Sequence, residues 1–440
     1  MIRYIAVAIV CLVYVWAIRR RLLIASYMKS RVPIADTSAP DFLKGFSAAG
    51  FQNEGTTPDS MWKYYLKVAQ PNAQYPDQFD LGILEKDILI MKSMNANSYR
   101  FSVEFARVMP SRNSWDISYY MNVCELLKKH GLRPVITMFH FVLPSWALSV
   151  WERGNDHFVK FAKRIVNELD AYDPVWITLN EPYLYALHGY MLGVRPPFKR
   201  NTALCLQVLS NMLNDHVKIY RHCKNVRKTS LVGIAKNIMP ITAKMFLSPI
   251  DQILRTQFNS WFNDSFFHFV NTGRIDLMLL ATRRKLNTFQ WPVVDFFGVN
   301  HYTEMSLGLQ LSLSSPVAVD LRPPYIGDCS AFTKAGWYAS PGSWQKTLDL
   351  ITSQCALPII VTECGISDID KSRSDVSRSV AMAYILHAIS CEPRVKGVLV
   401  WTFVDNVEWE QEVNFGVVNR KRMKTEIYDT VADFFGTCSV

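Results

Sequence analysis

Eight short apolar runs recur along this chain from about Phe42 to its end, and longer amphipathic stretches lie between them. The runs are Leu43–Ala49, Ser98–Val103, Arg133–His140, Val175–Asn180, Leu231–Asn237, Asp295–Asn300, Pro358–Glu363 and Gly397–Phe403. Their length and boundaries predict strands. Helix-period segments fall between most of them: Leu81–Met94, Trp115–His130, Asp156–Leu169, Cys205–Lys224, Trp344–Ser353 and Asp375–Ile389. Connections this long cannot be hairpins, so the strands are expected to pair in parallel. Eight strands with intervening helices predict an α/β fold, a single (β/α)8 TIM barrel. The stretch from Met239 to Gln290 is less regular and is expected to hold the longest insertion.

Two of the runs end at, or immediately before, a glutamate. Thr178-Leu179-Asn180-Glu181-Pro182 follows one, and Thr362-Glu363-Cys364-Gly365 completes another. A carboxylate followed by a chain-breaker belongs at the C-terminal end of its strand. In a parallel barrel that is the end where active sites form. Two carboxylates facing one pocket are the equipment for cleaving a glycosidic bond.

The chain has 440 residues, of which 49% are hydrophobic, enough for a large core. Its net charge is +10, but Arg3, Arg19, Arg20, Arg21, Lys29 and Arg31 supply six of those charges before the first acid, Asp36, leaving +4 for the rest. This local bias points to a membrane surface and against a nucleic-acid-binding body. Nine cysteines form no C-x-x-C pair and none has a histidine at metal-ligand spacing. They read as reduced core thiols of a cytosolic protein, and no metal site or cofactor is expected. Tyr4 to Ile18 is uncharged. It spans about 22 Å as a helix, and arginines snorkelling at either end extend its reach. Residues 1–21 are therefore expected to be a membrane anchor, with 4–18 in the bilayer, 22–40 a linker and 41–440 the barrel. A cleaved signal peptide and a peripheral helix remain the alternatives. The arginine-rich flank places the barrel in the cytosol.

The motifs that follow the strands resemble those of family 1 glycoside hydrolases, the β-glucosidase and β-galactosidase family. They run in order: Phe51-Gln52-Asn53-Glu54-Gly55; Tyr99-Arg100-Phe101-Ser102 with Arg107-Val108-Met109-Pro110; Phe139-His140 with Leu143-Pro144; Asn180-Glu181-Pro182; Asn300-His301-Tyr302; Thr362-Glu363 with Gly365; and Trp401-Thr402 through Asp405-Asn406-Val407-Glu408-Trp409. The resemblance covers about Phe42 to Phe435. It implies a retaining β-glycosidase in which Glu363 is the nucleophile and Glu181 the acid/base, about 5–5.5 Å apart. It also implies that Arg100 and Tyr302 partner Glu363, and that Asn180 bonds the sugar 2-hydroxyl. Gln52, His140, Glu408 and Trp409 would bind the other hydroxyls, and Trp401 would form the apolar platform under the ring. An ionised Glu408 would repel a 6-phosphate, so an unphosphorylated β-glucoside or β-galactoside is the expected partner.

Four departures stand out: Cys364 where the family has asparagine, Phe141 for tryptophan, Glu104-Phe105 for Ser-Trp, and Asn414 for arginine. The stretches 143–147 and 363–368, with the N-terminal segment, look like the membrane-anchored galactolipid-remodelling branch. The alternatives are thus glycolipid galactosyl transfer and, if catalysis were lost, a non-catalytic glycan-binding module.

Overall fold

The computed structural model describes residues 39, 41–55, 58–279, 282–309, 317–320 and 330–436. Eight parallel strands close into a barrel. They are β1 (Leu43–Ser47), β2 (Ser98–Ser102), β3 (Arg133–Thr137), β4 (Val175–Asn180), β5 (Leu231–Asn237), β6 (Phe296–Asn300), β7 (Ile359–Cys364) and β8 (Val395–Trp401). β8 pairs with β1 in parallel, Gly397 opposite Leu43, and this completes the ring. All eight expected strands are present. β1 and β3 are shorter than expected, so Ala49 and His140 lie in the loops beyond them. Chain direction explains this: past the sheet edge the backbone must turn toward its helix.

Side chains from seven strands fill the barrel: Leu43, Val135, Val175 with Ile177, Ala235, Phe296, Ile360 and Leu399. Their bulk makes it a packed core and not a pore. The larger apolar layer lies between strands and helices, where Trp151, Trp176, Trp261 and Trp344 are fully buried.

The outer helices start where the sequence provides caps. Helix α1 (Leu81–Ser93) is capped by Asp80, whose side chain accepts from Gly82 and Ile83. Helices α2 (Ser118–Lys129) and α3 (His157–Leu169) follow β2 and β3. Asn201 caps α4 (Thr202–Val226) through Leu204. Ser377 caps the helix between β7 and β8 through Val380. That helix therefore begins at Arg378 and not at the expected Asp375, because the serine side chain replaces a backbone acceptor.

The insertion after β5 is more regular than its sequence suggests. It contains helices Pro249–Asn259 and Ser265–Thr272 and an antiparallel hairpin of Arg274–Leu279 with Thr282–Thr288. A second excursion follows β6, where Met305–Leu309 pairs with Ile241–Ala243 and Val317–Asp320. Among the described residues no helix is long and apolar enough to cross a membrane. The expected anchor, residues 4–18, lies outside the described residues.

Two irregularities position the site. The pairing of β4 with β5 shifts register between Ile177 and Asn180, and β7 shifts against β6 between Val361 and Glu363. An extra residue flips the alternation, so that the last side chains of a strand change face. Both glutamates named from the sequence lie at or just beyond these shifts.

Candidate active site

Glu363 is the penultimate residue of β7 and is buried. Arg100, on β2 and fully buried, donates from Nη1 to Glu363 Oε1 at 2.7 Å. The same guanidinium is held by Thr137 Oγ1 at 3.0 Å, the Thr362 carbonyl at 2.9 Å and Asn180 Oδ1 at 2.7 Å. Tyr302 donates its hydroxyl to the other Glu363 oxygen at 2.8 Å. A cation and a phenol thus fix both carboxylate oxygens.

Glu181 is also buried, but among the described residues no cation bonds to it. It follows β4 with φ 47° and ψ 53°, a left-handed backbone that costs a non-glycine residue about 1–2 kcal/mol. Its N–H donates to the Ala235 carbonyl at 2.7 Å, and Pro182 opens the next helical turn, so the conformation is held from both sides. Oε1 accepts from Asn300 Nδ2 at 2.9 Å and from Asn237 Nδ2 at 3.2 Å. Burial first, and then the nearby charge of Glu363, push this carboxyl up to about 7. One site therefore holds a carboxyl group gripped by a cation and a phenol beside one that keeps its proton near neutrality.

The other expected residues gather around this pair. Asn180 Nδ2 donates to His140 Nε2 at 3.3 Å. Burial, aided by Arg100, holds His140 well below the usual imidazole range, so the ring is neutral. Because Nε2 accepts, the proton sits on Nδ1. Nδ1 is buried without a partner among the described residues, as is Gln52 Oε1. One is a donor and the other an acceptor, and both remain available to hydroxyls. Gln52 Nε2 is anchored on the Val407 carbonyl at 2.9 Å and faces Glu408 Oε2 at 3.4 Å. Trp401 Nε1 donates to the same Glu408 oxygen at 3.1 Å. The His140 ring stacks near-parallel to Trp401 and to Trp409, with centroids 5.8 and 6.2 Å away. All ten residues expected from the sequence lie in one connected cluster at the C-terminal end of the barrel.

One inference about charge changes. Burial, with Glu363 nearby, pushes Glu408 up to about 8, so at neutral pH it is largely a carboxylic acid. The sequence argument assumed a carboxylate repelling a 6-phosphate. The structure replaces that with a neutral buried acid. The nearby cation, Arg195, is committed to Glu410 at 2.7 Å.

The sequence reading did not assign Asn300 and Asn237 to the site. Asn300 Nδ2 donates to both Glu181 and Asn180 Oδ1, the latter at 3.1 Å, while its Oδ1 accepts from Thr362 Oγ1 at 2.6 Å. Each asparagine ends a strand, as Asn180 does, and that shared position was the available signal. The departures also find places. Phe141 packs edge-on against Trp409, and its carbonyl accepts from Trp62 Nε1 at 3.1 Å. Asn414 donates to Asp368 at 2.9 Å. Cys364 is buried, and its thiol is pushed up by burial and then by Glu363. Gly365 is obligatory, since a Cβ there would lie 2.0 Å from the Trp401 carbonyl oxygen.

The family model for glycosyl hydrolase family 1 matches residues 35–428. Beta-glucosidase A of Acetivibrio thermocellus is 24% identical over 428 residues, which cover 87% of this chain and 93% of that protein. The furostanol glycoside 26-O-beta-glucosidase of Hellenia speciosa is 26% identical over 460 residues, covering 87% and 79%. The fold matches that of a beta-glycosidase from Pyrococcus horikoshii with a TM-score of 0.76 at 24% identity, covering 92% of this chain and 95% of that one.

Proposed function

The chain belongs to glycosyl hydrolase family 1 and is a retaining β-glycosidase, and we propose that Glu363 is its nucleophile and Glu181 its acid/base. The observation that carries this assignment is the contrast between the two carboxyls: Glu363 is bound by Arg100 and Tyr302, whereas Glu181 keeps its proton to about pH 7. Glu363 attacks the anomeric carbon while the Glu181 proton passes to the departing glycosidic oxygen, giving a covalent glycosyl-enzyme. Glu181, now ionised, takes a proton from water, which displaces Glu363 with net retention. Asn180, fixed by Arg100 and Asn300, is placed for the 2-hydroxyl, where bonds strengthen in the oxocarbenium-like transition state.

The substrate is an unphosphorylated β-glucoside or β-galactoside. His140 Nδ1 and Gln52 Oε1 supply a donor and an acceptor, and Glu408, as an acid, can do both. Arg195 is paired to Glu410 and so is not free to bind a phosphate. Both carboxyls are present and differ in their partners, Arg100 and Tyr302 for one and Asn300 and Asn237 for the other, which argues against a module that only binds glycans. The test is nitrophenol release from aryl β-glucoside and β-galactoside by the full chain, with Glu363→Gln alongside. Activity lost in that variant by 10³-fold or more is expected on removing the nucleophile. Equal rates in the two proteins would refute the assignment.

A further inference from the structure

Glu104 is a buried carboxyl that the catalytic scheme does not use. It lies just beyond β2, next to the short helical turn Phe105–Val108. Its contacts lead to Gln52. Gln52 rides on a single helical turn, Gly50–Asn53, and the capping position of that turn, Ala49, provides no side-chain acceptor. The acceptor comes from β2. The Gly50 N–H donates to Ser102 Oγ at 2.8 Å, and Ser102 donates its own proton to Glu104 Oε1 at 2.6 Å. A hydroxyl can hold an N–H steadily only when its own proton has a fixed destination, and Glu104 is that destination. The Phe51 N–H also acts on the Glu104 carboxyl. The packing is tight: a Cβ on Gly50 would stand 2.7 Å from Glu104 Cγ.

The other end of the turn is clamped in the same way. Glu54 closes it with an N–H to the Gly50 carbonyl at 2.8 Å. Its carboxylate is bound by Arg107 at 2.6 Å and by the Tyr120 hydroxyl at 2.9 Å. The Tyr120 oxygen in turn accepts the Glu104 N–H at 2.9 Å, which joins the two clamps.

We infer that Glu104 is a positioning residue for substrate binding: through Ser102 it fixes the turn that keeps the Gln52 carboxamide beside Glu408. The inference rests on the glycosidase reading of the same site. Burial, and then the charge of Glu54, push Glu104 up to about 8, so at neutral pH it is protonated and glutamine is its faithful neutral substitute.

The experiment measures KM and kcat of the full chain on an aryl β-glucoside at pH 6.5. Glu104→Leu is expected to raise KM about tenfold with kcat within about twofold, since it disturbs a contact made equally in ground and transition states. Glu104→Gln is expected to restore KM. Gln52→Ala also raises KM, and adding Glu104→Leu to it raises KM no further, because both act through one contact. A folded Glu104→Leu protein with unchanged KM would overturn the inference, as would KM effects that multiply with those of Gln52→Ala. If Glu104→Leu does not fold, Ser102→Ala breaks the same relay and must raise KM; an unchanged KM there overturns the inference too. Failure of the glycosidase reading looks different. The wild-type chain would then hydrolyse no aryl glycoside, and the inference would fall with it.

Discussion

Replacing Asn300 with alanine should move the alkaline limb of the pH–rate profile upward. In the wild type, Glu181 must be protonated to assist departure of the leaving group, so kcat/KM on a poor leaving group falls as pH rises through about 7. Burial and the Glu363 charge both raise this carboxyl, while the bonds from Asn300 and Asn237 oppose them by stabilising the anion. The Asn300 bond is the shorter, at 2.9 Å against 3.2 Å. A hydrogen bond to a charged group contributes about 1.5–3 kcal/mol. Each 1.36 kcal/mol is about one pH unit, so complete loss would move the limb by about one to two units. Water entering the space left by the side chain recovers part of the bond, so about one unit is expected. The assay is kcat/KM between pH 5 and 9.5 on alkyl and dinitrophenyl β-glucosides. The alkyl limb should move upward. The dinitrophenyl limb should be shallow in both proteins, because that leaving group needs no proton. At the acidic plateau the variant should be slower, since Asn180 loses the same Nδ2 donor. A limb that stays in place or moves downward would refute the claim that Asn300 stabilises the Glu181 anion.

Two further substitutions test the buried charges. Arg100→Met strips Glu363 of its cation and Asn180 of one of its two donors, leaving a buried carboxylate without a charged partner. A loss of about 3–5 kcal/mol in urea unfolding is expected, with activity falling together with stability, and a neutral effect would show that the pair contributes nothing. Lys236, fully buried on β5, has its Nζ over the rings of Phe262 and Tyr183 at 3.7 and 4.7 Å, donates to the Asn237 carbonyl, and forms no ion pair among the described residues. Burial holds its amine well below the usual lysine range, so the unfolded chain binds the extra proton and the cost is greatest at low pH, easing as pH rises toward about 10.4. Lys236→Met should therefore raise unfolding stability by about 1–3 kcal/mol near neutrality, by a margin that narrows as pH rises toward about 10.4. A less stable variant would mean that the amine's ring contacts outweigh its desolvation.

The barrel and both candidate glutamates were legible in the sequence because their signals are local. A strand of this fold is a short apolar run, its end is a polar residue with a chain-breaker, and neither depends on the rest of the chain. Gln52, Arg100, His140, Tyr302 and Trp409 could be placed because the ordered motifs around them resemble those of family 1 glycoside hydrolases. Protonation could not be read in this way. The resemblance implied Arg100 and Tyr302 beside Glu363, but the raised Glu181 carboxyl depends on burial and on Asn300 and Asn237, which come from two other strands. Glu408 was taken as a charge from its residue type, and burial makes it an acid. The register shifts that turn the ends of β4 and β7 toward the pocket were also invisible, because a bulge is a relation between neighbouring strands and leaves no mark within either one. Sequence determined which groups reach the rim of the barrel. Tertiary structure decided their charge and aim, because desolvation and hydrogen bonding depend on neighbours that the chain brings together only by folding.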